Sequence, residues 1–334
     1  MLIINLNDYV LTSAGYSDLG SLNSWNYILS SNAEECDITY KEDVVDKFFV
    51  IKTANNFEFC GLPGQIWKLH SGTSKPTEYL IRGDKLVISS NPFPFNRYER
   101  IDSPLLKYCG NDFAFLSALA TVGQVKHGAF TWRAYRATEE YLSLFHKLYE
   151  VLKRYEIDFS LFFSATGLPR IVVNDSRAVR LFHDFSLQVP RQFFHSPLDI
   201  VYRYLGIIFS INVSFGHGHS HVWRRVLLKR NLSFLQSLRM LLCCLGIYSR
   251  IVANRFLVIN AEFIHKMRSF VFMFKSAERK YYKLYKSIHP SRFRDYLRII
   301  SVQYVTKPSR KYVIDTEQDL IVNGVIVSGG ASGR

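Results

Sequence analysis

The chain is poor in cysteine: 334 residues include only five, Cys36, Cys60, Cys109, Cys243 and Cys244. No two form a CxxC pair and the number is odd, which excludes a zinc knuckle of the usual spacing and a disulfide framework, and fits a reducing, intracellular compartment. Long apolar runs are also missing. The longest candidates, such as Tyr204–Phe215 and Leu238–Tyr248, fall short of the roughly 18 residues a membrane helix needs, so no membrane partner is expected. The opening MLIINLNDYV has no basic n-region and no small-residue cleavage site, so a secretory signal is not expected. Acid is scarce as well: 28 Asp and Glu stand against 42 Lys and Arg, a formal net charge of +14.

What is present describes a chain able to fold. Hydrophobic residues make up 48% and charged residues 21%, enough apolar material for a sizeable core. The length suits two domains better than one. The charge is uneven: residues 1–100 carry 9 basic and 12 acidic residues, and residues 101–334 carry 33 and 16. An acidic head before a strongly basic body points to an anionic partner, nucleic acid above all.

Residues 1–100 read as short β-strands punctuated by glycines at Gly15, Gly20, Gly61, Gly64, Gly72 and Gly83. The tail KYVIDTEQDLIVNGVIVSG repeats that texture around Asn323-Gly324, a type I′ hairpin signature. Between them lies an internal repeat. The first copy is expected as a helix over Phe113–Val122, strands over Gln124–His127 and Phe130–Ala137, a helix over Thr138–Tyr155, strands over Ile157–Phe163 and Arg170–Val173, and a helix from Asp175. The second is expected as a helix over Leu198–Phe209, strands over Ile211–Phe215 and His221–Leu228, a helix over Leu232–Leu245, strands over Tyr248–Ala253 and Phe256–Ile259, and a helix from Ala261. Phe274–Ile300 then reads as a basic, aromatic-rich helical segment broken near Pro290.

Two apolar first helices, FLSALATVGQV (Phe115–Val125) and YLGIIFSIN (Tyr204–Asn212), followed by LRMLLCCLGIYSRI and NRFLVINAEFIHK, resemble the LAGLIDADG homing endonucleases. In that family the two first helices pack face to face and each sheet saddles DNA. Ala118 and Gly206 would sit at the close helix contacts. The flanks YVLTSAGYSDLGSL (Tyr9–Leu22), YLIRGDKLVI (Tyr79–Ile88) and DLIVNGVIVS (Asp319–Ser328) resemble the Hint fold of inteins and hedgehog autoprocessing domains. The expected fold class is therefore α+β. An all-β Hint-like domain is built from both chain ends, 1–100 plus 306–334. It is interrupted by a pseudo-two-fold αββαββα LAGLIDADG-like domain at 101–274, with repeats at about 111–190 and 196–274. A basic aromatic helical segment occupies 275–305.

The resemblance implies chemistry that the residues do not supply. Protein splicing needs a nucleophile at its first residue, a Thr-x-x-His pair and a terminal His-Asn. Met1 supplies no nucleophile, Leu62-Pro63-Gly64-Gln65 stands where Thr-x-x-His would fall, and Ser328-Gly329 where His-Asn would fall. Each nuclease helix should end in a carboxylate for shared Mg²⁺ ions. Those ends are Val122 and Ile211 or Asn212. The expected function is a catalytically dead, intein-derived protein that binds DNA or RNA, or serves as a structural subunit of a large nucleoprotein assembly such as a ribosome or virion. It would need no cofactor, keep protein partners within that assembly and, being pseudo-dimeric within one chain, require no homodimer. The alternative is a divergent Mg²⁺-dependent DNA endonuclease with relocated ligands, for which Asp112 and Asp199 lie at the wrong helix ends.

Nucleic-acid contacts are expected at Lys126, His127, Arg133 and Arg136 in the first copy, and at Arg224, Arg225, Lys229 and Arg230 in the second. Trp132, Tyr135 and Trp223 would either stack on bases or support the sheet. Arg279, Lys280, Lys283 and Lys286, with Tyr281, Tyr282 and Tyr285, form a second basic stripe suited to RNA or to a protein partner. A solvated basic face is the plain alternative for both. His217, His219 and His221 alternate in SFGHGHSHVW, spacing that can hold zinc or simply form a solvated or phosphate-contacting loop. Met240, Cys243 and Cys244 read as core packing on an apolar helix.

Overall fold

The structure is a computed structural model. It describes the chain apart from residues 14, 23–27, 31, 33, 37, 90–109, 135–136, 212, 217–224, 317 and 329–334, and apart from the side chains of residues 225, 227 and 229. Nine short strands open it: β1 Leu2–Ile4, β2 Tyr9–Thr12, β3 Gly15–Asp18, β4 Thr39–Val45, β5 Phe48–Thr53, β6 Glu58–Gly61, β7 Ile66–Lys68, β8 Ser74–Pro76 and β9 Lys85–Val87. Four more close it: β18 Tyr296–Val305, β19 Ser309–Asp315, β20 Asp319–Val322 and β21 Val325–Ser328. Head and tail share every sheet they form. The orders are β3-β2-β20-β21-β7-β8, β6-β5-β18-β9 and β1-β19-β4.

The β20–β21 turn has the backbone its residues demand. Asn323 and Gly324 have φ values of 48° and 77°, both positive as a type I′ turn requires. Gly324 is constrained from outside too, since a Cβ there would lie 2.7 Å from the Cys243 carbonyl oxygen. The Cys243 thiol and the Tyr248 hydroxyl each donate to the Asn323 carbonyl at 2.8 Å. This hairpin therefore docks the β region onto the helix that carries Cys243.

The middle of the chain runs α1 Asn111–Ala120, β10 Gln124–Lys126, β11 Ala129–Arg133, α2 Glu139–Arg154, β12 Phe159–Phe163, β13 Pro169–Val173 and α3 Ser176–Leu187. The second copy runs α4 Leu198–Ile211, β14 Val213–Phe215, β15 Arg225–Lys229, α5 Leu232–Cys244, β16 Ser249–Val252 and β17 Phe256–Asn260, then a 3-10 helix over Ala261–Ser269. The two sheets have matching antiparallel orders, β10-β11-β13-β12 and β14-β15-β17-β16. Helix α1 packs against α4 and is buried on all sides from Phe113 to Ala120. Each fully buried Phe or Leu there contributes about 1.5–3 kcal/mol from apolar burial, before conformational entropy is set against it.

Local capping explains where the helices begin. The side chains of Thr138 and Asn231 accept from Tyr141 N and Phe234 N at the starts of α2 and α5, and Asp175 caps α3 through Arg177 N and Ala178 N. Asn260 makes no such cap bond; its amide reaches Asn55 at 3.4 Å instead. The expected closing helix of the second copy is a 3-10 helix over Ala261–Ser269.

Two further expectations are corrected. The helical reading of 275–305 holds only for α6, Lys275–Lys286; Pro290–Arg292 is a 3-10 turn and Tyr296–Val305 is strand β18. Its alternation of buried Leu297 and Ile299 with exposed Arg298 and Ile300 is a period of two, and β18 lies between β5 and β9 in the β region. The bare face of Gly206, expected at the helix–helix contact, meets a different segment. A Cβ on Gly206 would meet the Val271 carbonyl oxygen at 2.0 Å, so its bare face admits the backbone that follows the 3-10 helix. That segment is held there by Val271 N donating to Tyr202 O, and by Met273 N donating to Ser210 Oγ at 2.8 Å. Cys243 and Cys244 are buried as expected of core residues.

Candidate functional site

The first sheet divides its residues by face. On β11, Phe130 and Trp132 point into the core, and Trp132 Nε1 donates to Leu119 O at 2.9 Å, so this ring supports the sheet and is not offered to a ligand. Arg133 alternates onto the opposite face and is exposed. Val122, Gln124, Lys126, Thr131 and Arg133 line one crevice there. The register puts Arg133 beside Arg170 on β13, and Arg170 beside Phe162 on β12. The Arg170 guanidinium lies 5.9 Å from the Phe162 ring centroid. Arg170 and Phe162 are absent from the sequence expectation, although the alternation of RIVV, with Ile171 and Val173 buried, marks Arg170 as facing away from the core. Exposed His127 and Gly128, with φ values of 50° and 76°, form the turn between β10 and β11.

In the second copy the backbones of Arg225 and Lys229 lie in β15, opposite Asn260 and Phe256, while their side chains are outside what is described. Arg136, Arg224, Asn212, Gly329, Tyr135, Trp223, Cys109 and the three histidines His217, His219 and His221 lie outside the described residues. Arg230 reaches across to the other copy: its Nη2 lies 3.5 Å from Thr121 Oγ1, at the C-terminus of α1. Its charge also acts on Tyr204 of α4, whose hydroxyl burial pushes far above the ordinary value.

Among the described residues, the C-terminal ends of α1 and α4 offer no carboxylate to a divalent cation. Val122 and Ile211 offer no side-chain oxygen, and a guanidinium already lies against the hydroxyl of Thr121. Asp112 is at the opposite end of α1, where it accepts from Arg154 at 2.6 Å and from Tyr155 at 3.4 Å; Asp199 is exposed in the first turn of α4. Among the described residues, no group of three His, Cys, Asp or Glu is placed to hold a metal.

Helix α6 is amphipathic. Ala277, Tyr281, Leu284 and Ile288 turn inward, while Arg279, Lys280, Lys283 and Lys286 are exposed. Tyr281 packs on Phe272 with ring centroids 5.2 Å apart and donates to Ile264 O, so of the three tyrosines only Tyr282 is open. The helix is tied to the first copy through Glu140, which accepts from Ser276 N at 2.8 Å and Ser276 Oγ at 2.5 Å. Burial opposes the charge on Glu140, but the Ser276 bonds and the Arg279 and Lys280 charges hold its carboxyl below the ordinary value. A cleft of about 920 Å³ results, in which Lys280 and Lys283 face Ser210 and Ile211 at the end of α4, Ser214 on β14, and Thr138 at the start of α2.

In the β region the expected splicing positions converge. Gln65 is buried, its Oε1 accepts from Ile3 N and Leu62 N at 3.1 Å each, and its Nε2 donates to Cys60 O. Ser328 pairs with Ile66 in the sheet and donates to Asp319. The nearest described thiol is Cys60. Burial pushes the Cys60 thiol up to about 11, and its Sγ is 3.0 Å from Asn5 Oδ1, which also accepts from Lys311 at 2.8 Å. Asp8, beside this network, accepts from Asn5 and from Asn323, yet burial raises its carboxyl to about 6.

No family model matches the chain, and no curated protein matches it. Among solved structures it is similar to a triply substituted gp41-1 intein, with 16% identity and a TM-score of 0.23 over 26% of this chain and 69% of that one. Similarity to the gp41-1 intein itself is 15% with a TM-score of 0.22 over the same shares. No helix is long and apolar enough to cross a membrane among the described residues.

Proposed function

We propose that this chain is a non-catalytic nucleic-acid-binding protein, a Hint-like β frame around a LAGLIDADG-like two-copy core, which acts as a binding or architectural subunit of a nucleoprotein assembly. The observation that carries this is the pairing of a basic face with aliphatic helix ends. Lys126, Arg133 and Arg170 share one side of the first sheet, and Lys280 and Lys283 line the cleft at the end of α4. Where hydrolysis of a phosphodiester would call for carboxylates, Val122, Ile211 and Arg230 stand.

Binding then works by charge neutralisation. Lysines and arginines displace counterions from phosphates, so affinity falls steeply with salt and carries little base preference. The buried Gln65 in place of a splicing histidine bonds two backbone N–H groups of the frame and so holds it together.

The test is a mobility shift of the purified full chain on duplex DNA and structured RNA at low salt, run beside plasmid cleavage with Mg²⁺ or Mn²⁺. A salt-sensitive shift without cleavage is expected. Cleavage abolished by Asp112→Asn or Asp199→Asn would replace this function with that of a divergent endonuclease, and no shift at all would leave a protein-docking role.

A further inference from the structure

We infer that the open edge of the first sheet binds unpaired nucleobases, so that the preferred ligand is single-stranded nucleic acid or a splayed loop. This deepens the nucleic-acid reading and rests on it. Among the described residues, strand β12 is the outer strand of its sheet and pairs with β13 alone. Its last residues run against the usual rule for an edge: Phe162 and Phe163 are 52% and 67% exposed, and Leu161 is 40% exposed. Phe162 shares its face with Arg170, while Phe163, next in the strand and opposite Pro169, turns to the other side of the edge.

Their surroundings identify the approach. Phe162, Phe163, Leu168, Ala134, Arg133 and Arg170 line a half-open groove of about 490 Å³, within the range of small-ligand sites. Neither arginine has an ion pair among the described residues, and Arg170 Nε is buried without a hydrogen-bond partner. An apolar peptide would leave these guanidinium groups desolvated and unpaired. A nucleotide satisfies both halves of the groove, the base stacking on a phenyl face and the phosphate meeting an arginine.

The bases must be unpaired. A phenyl ring has no donor or acceptor with which to read base edges in a groove, and in a duplex each base face is already covered by its neighbours. Stacking on the Phe162 ring needs a strand whose bases can be splayed out, and it tolerates any sequence because every base has a π-face.

Fluorescence anisotropy of the full chain with labelled single-stranded RNA, single-stranded DNA and duplexes of the same sequence tests this. Phe162→Ala is expected to weaken single-strand binding by about tenfold and to leave duplex binding unchanged, while Phe162→Trp is expected to retain single-strand binding with a fluorescence that quenches on binding. The RNA and DNA arms report which sugar is preferred. Equal losses on duplex and single strand, or no loss on either, would overturn the inference while leaving the nucleic-acid function intact, the second outcome reassigning the edge to a protein. Failure of the unaltered chain to bind any of the probes would remove both.

Discussion

The side-chain oxygen of Gln65 accepts a hydrogen bond from the backbone N–H of Ile3 at 3.1 Å, and the same oxygen accepts from Leu62 N. One buried amide thus ties the first strand to the turn before β7. Gln65→Ala leaves the buried Ile3 N–H and the half-buried Leu62 N–H without this partner, at a cost of about 1–3 kcal/mol for the buried one. Urea denaturation should show a lowered midpoint with an unchanged slope. A midpoint equal to that of the unaltered protein would mean that water replaces the amide.

Gly206 abuts the Val271 backbone, with a built Cβ falling 2.0 Å from the Val271 carbonyl oxygen. Alanine is the better helix former by about 1 kcal/mol, so on propensity alone Gly206→Ala would stabilise α4. The clash is with backbone and cannot be relieved by a rotamer change. Overpacking of this kind costs about 1–3 kcal/mol, and the net effect should be a fall in melting temperature. A rise would show that the 270–274 segment moves away at little cost.

Asp8 gives the fold a pH dependence of known sign. Burial raises its native carboxyl from the model-peptide value of 3.8 to about 6, so the native state holds a proton that the unfolded chain has released. The stabilisation is fully present below about pH 4 and is lost as pH rises to about 6, on the order of 3 kcal/mol across that window. Chemical denaturation at pH 4, 5, 6 and 7 should show the slope in the unaltered protein and a flatter profile in Asp8→Asn. Parallel profiles would assign the titration to other groups.

Arg133 and Arg170 are neighbours across β11 and β13. If each neutralises a phosphate, Arg133→Glu and Arg170→Glu should each lower the magnitude of the log Kobs against log salt slope by about 1, and the pair by about 2. The same substitution at Lys280 reports on the α6 cleft. A slope changed only by Lys280→Glu would move the contact from the sheet to the helix.

Local features are legible in the chain because their causes are local. Asn323-Gly324 specifies its hairpin turn through the two residues that tolerate positive φ. Thr138, Asp175 and Asn231 mark helix starts because each side chain bonds an N–H two or three residues ahead. Residues 296–300 are misread as helix because basic and aromatic composition outweighs a short alternation, and what makes them strand is the pairing of β18 with β5 and β9. Arg170 goes unnoticed for a similar reason. Nothing beside it in the chain is basic, and its partners Arg133 and Phe162 come from two other strands.

The amino-acid sequence by itself determines the excess of positive charge after residue 100, the aliphatic side chains of Val122 and Ile211, and the amide and hydroxyl of Gln65 and Ser328. These are matters of residue identity. Only the tertiary structure decides that Arg230 meets Thr121, that Lys280 and Lys283 face the end of α4, and that Phe162 stands beside Arg170. Each of those depends on strand register or on helices packed from distant parts of the chain. Register is set by which faces bury together, and a slip of one residue would turn every one of these side chains to the other side.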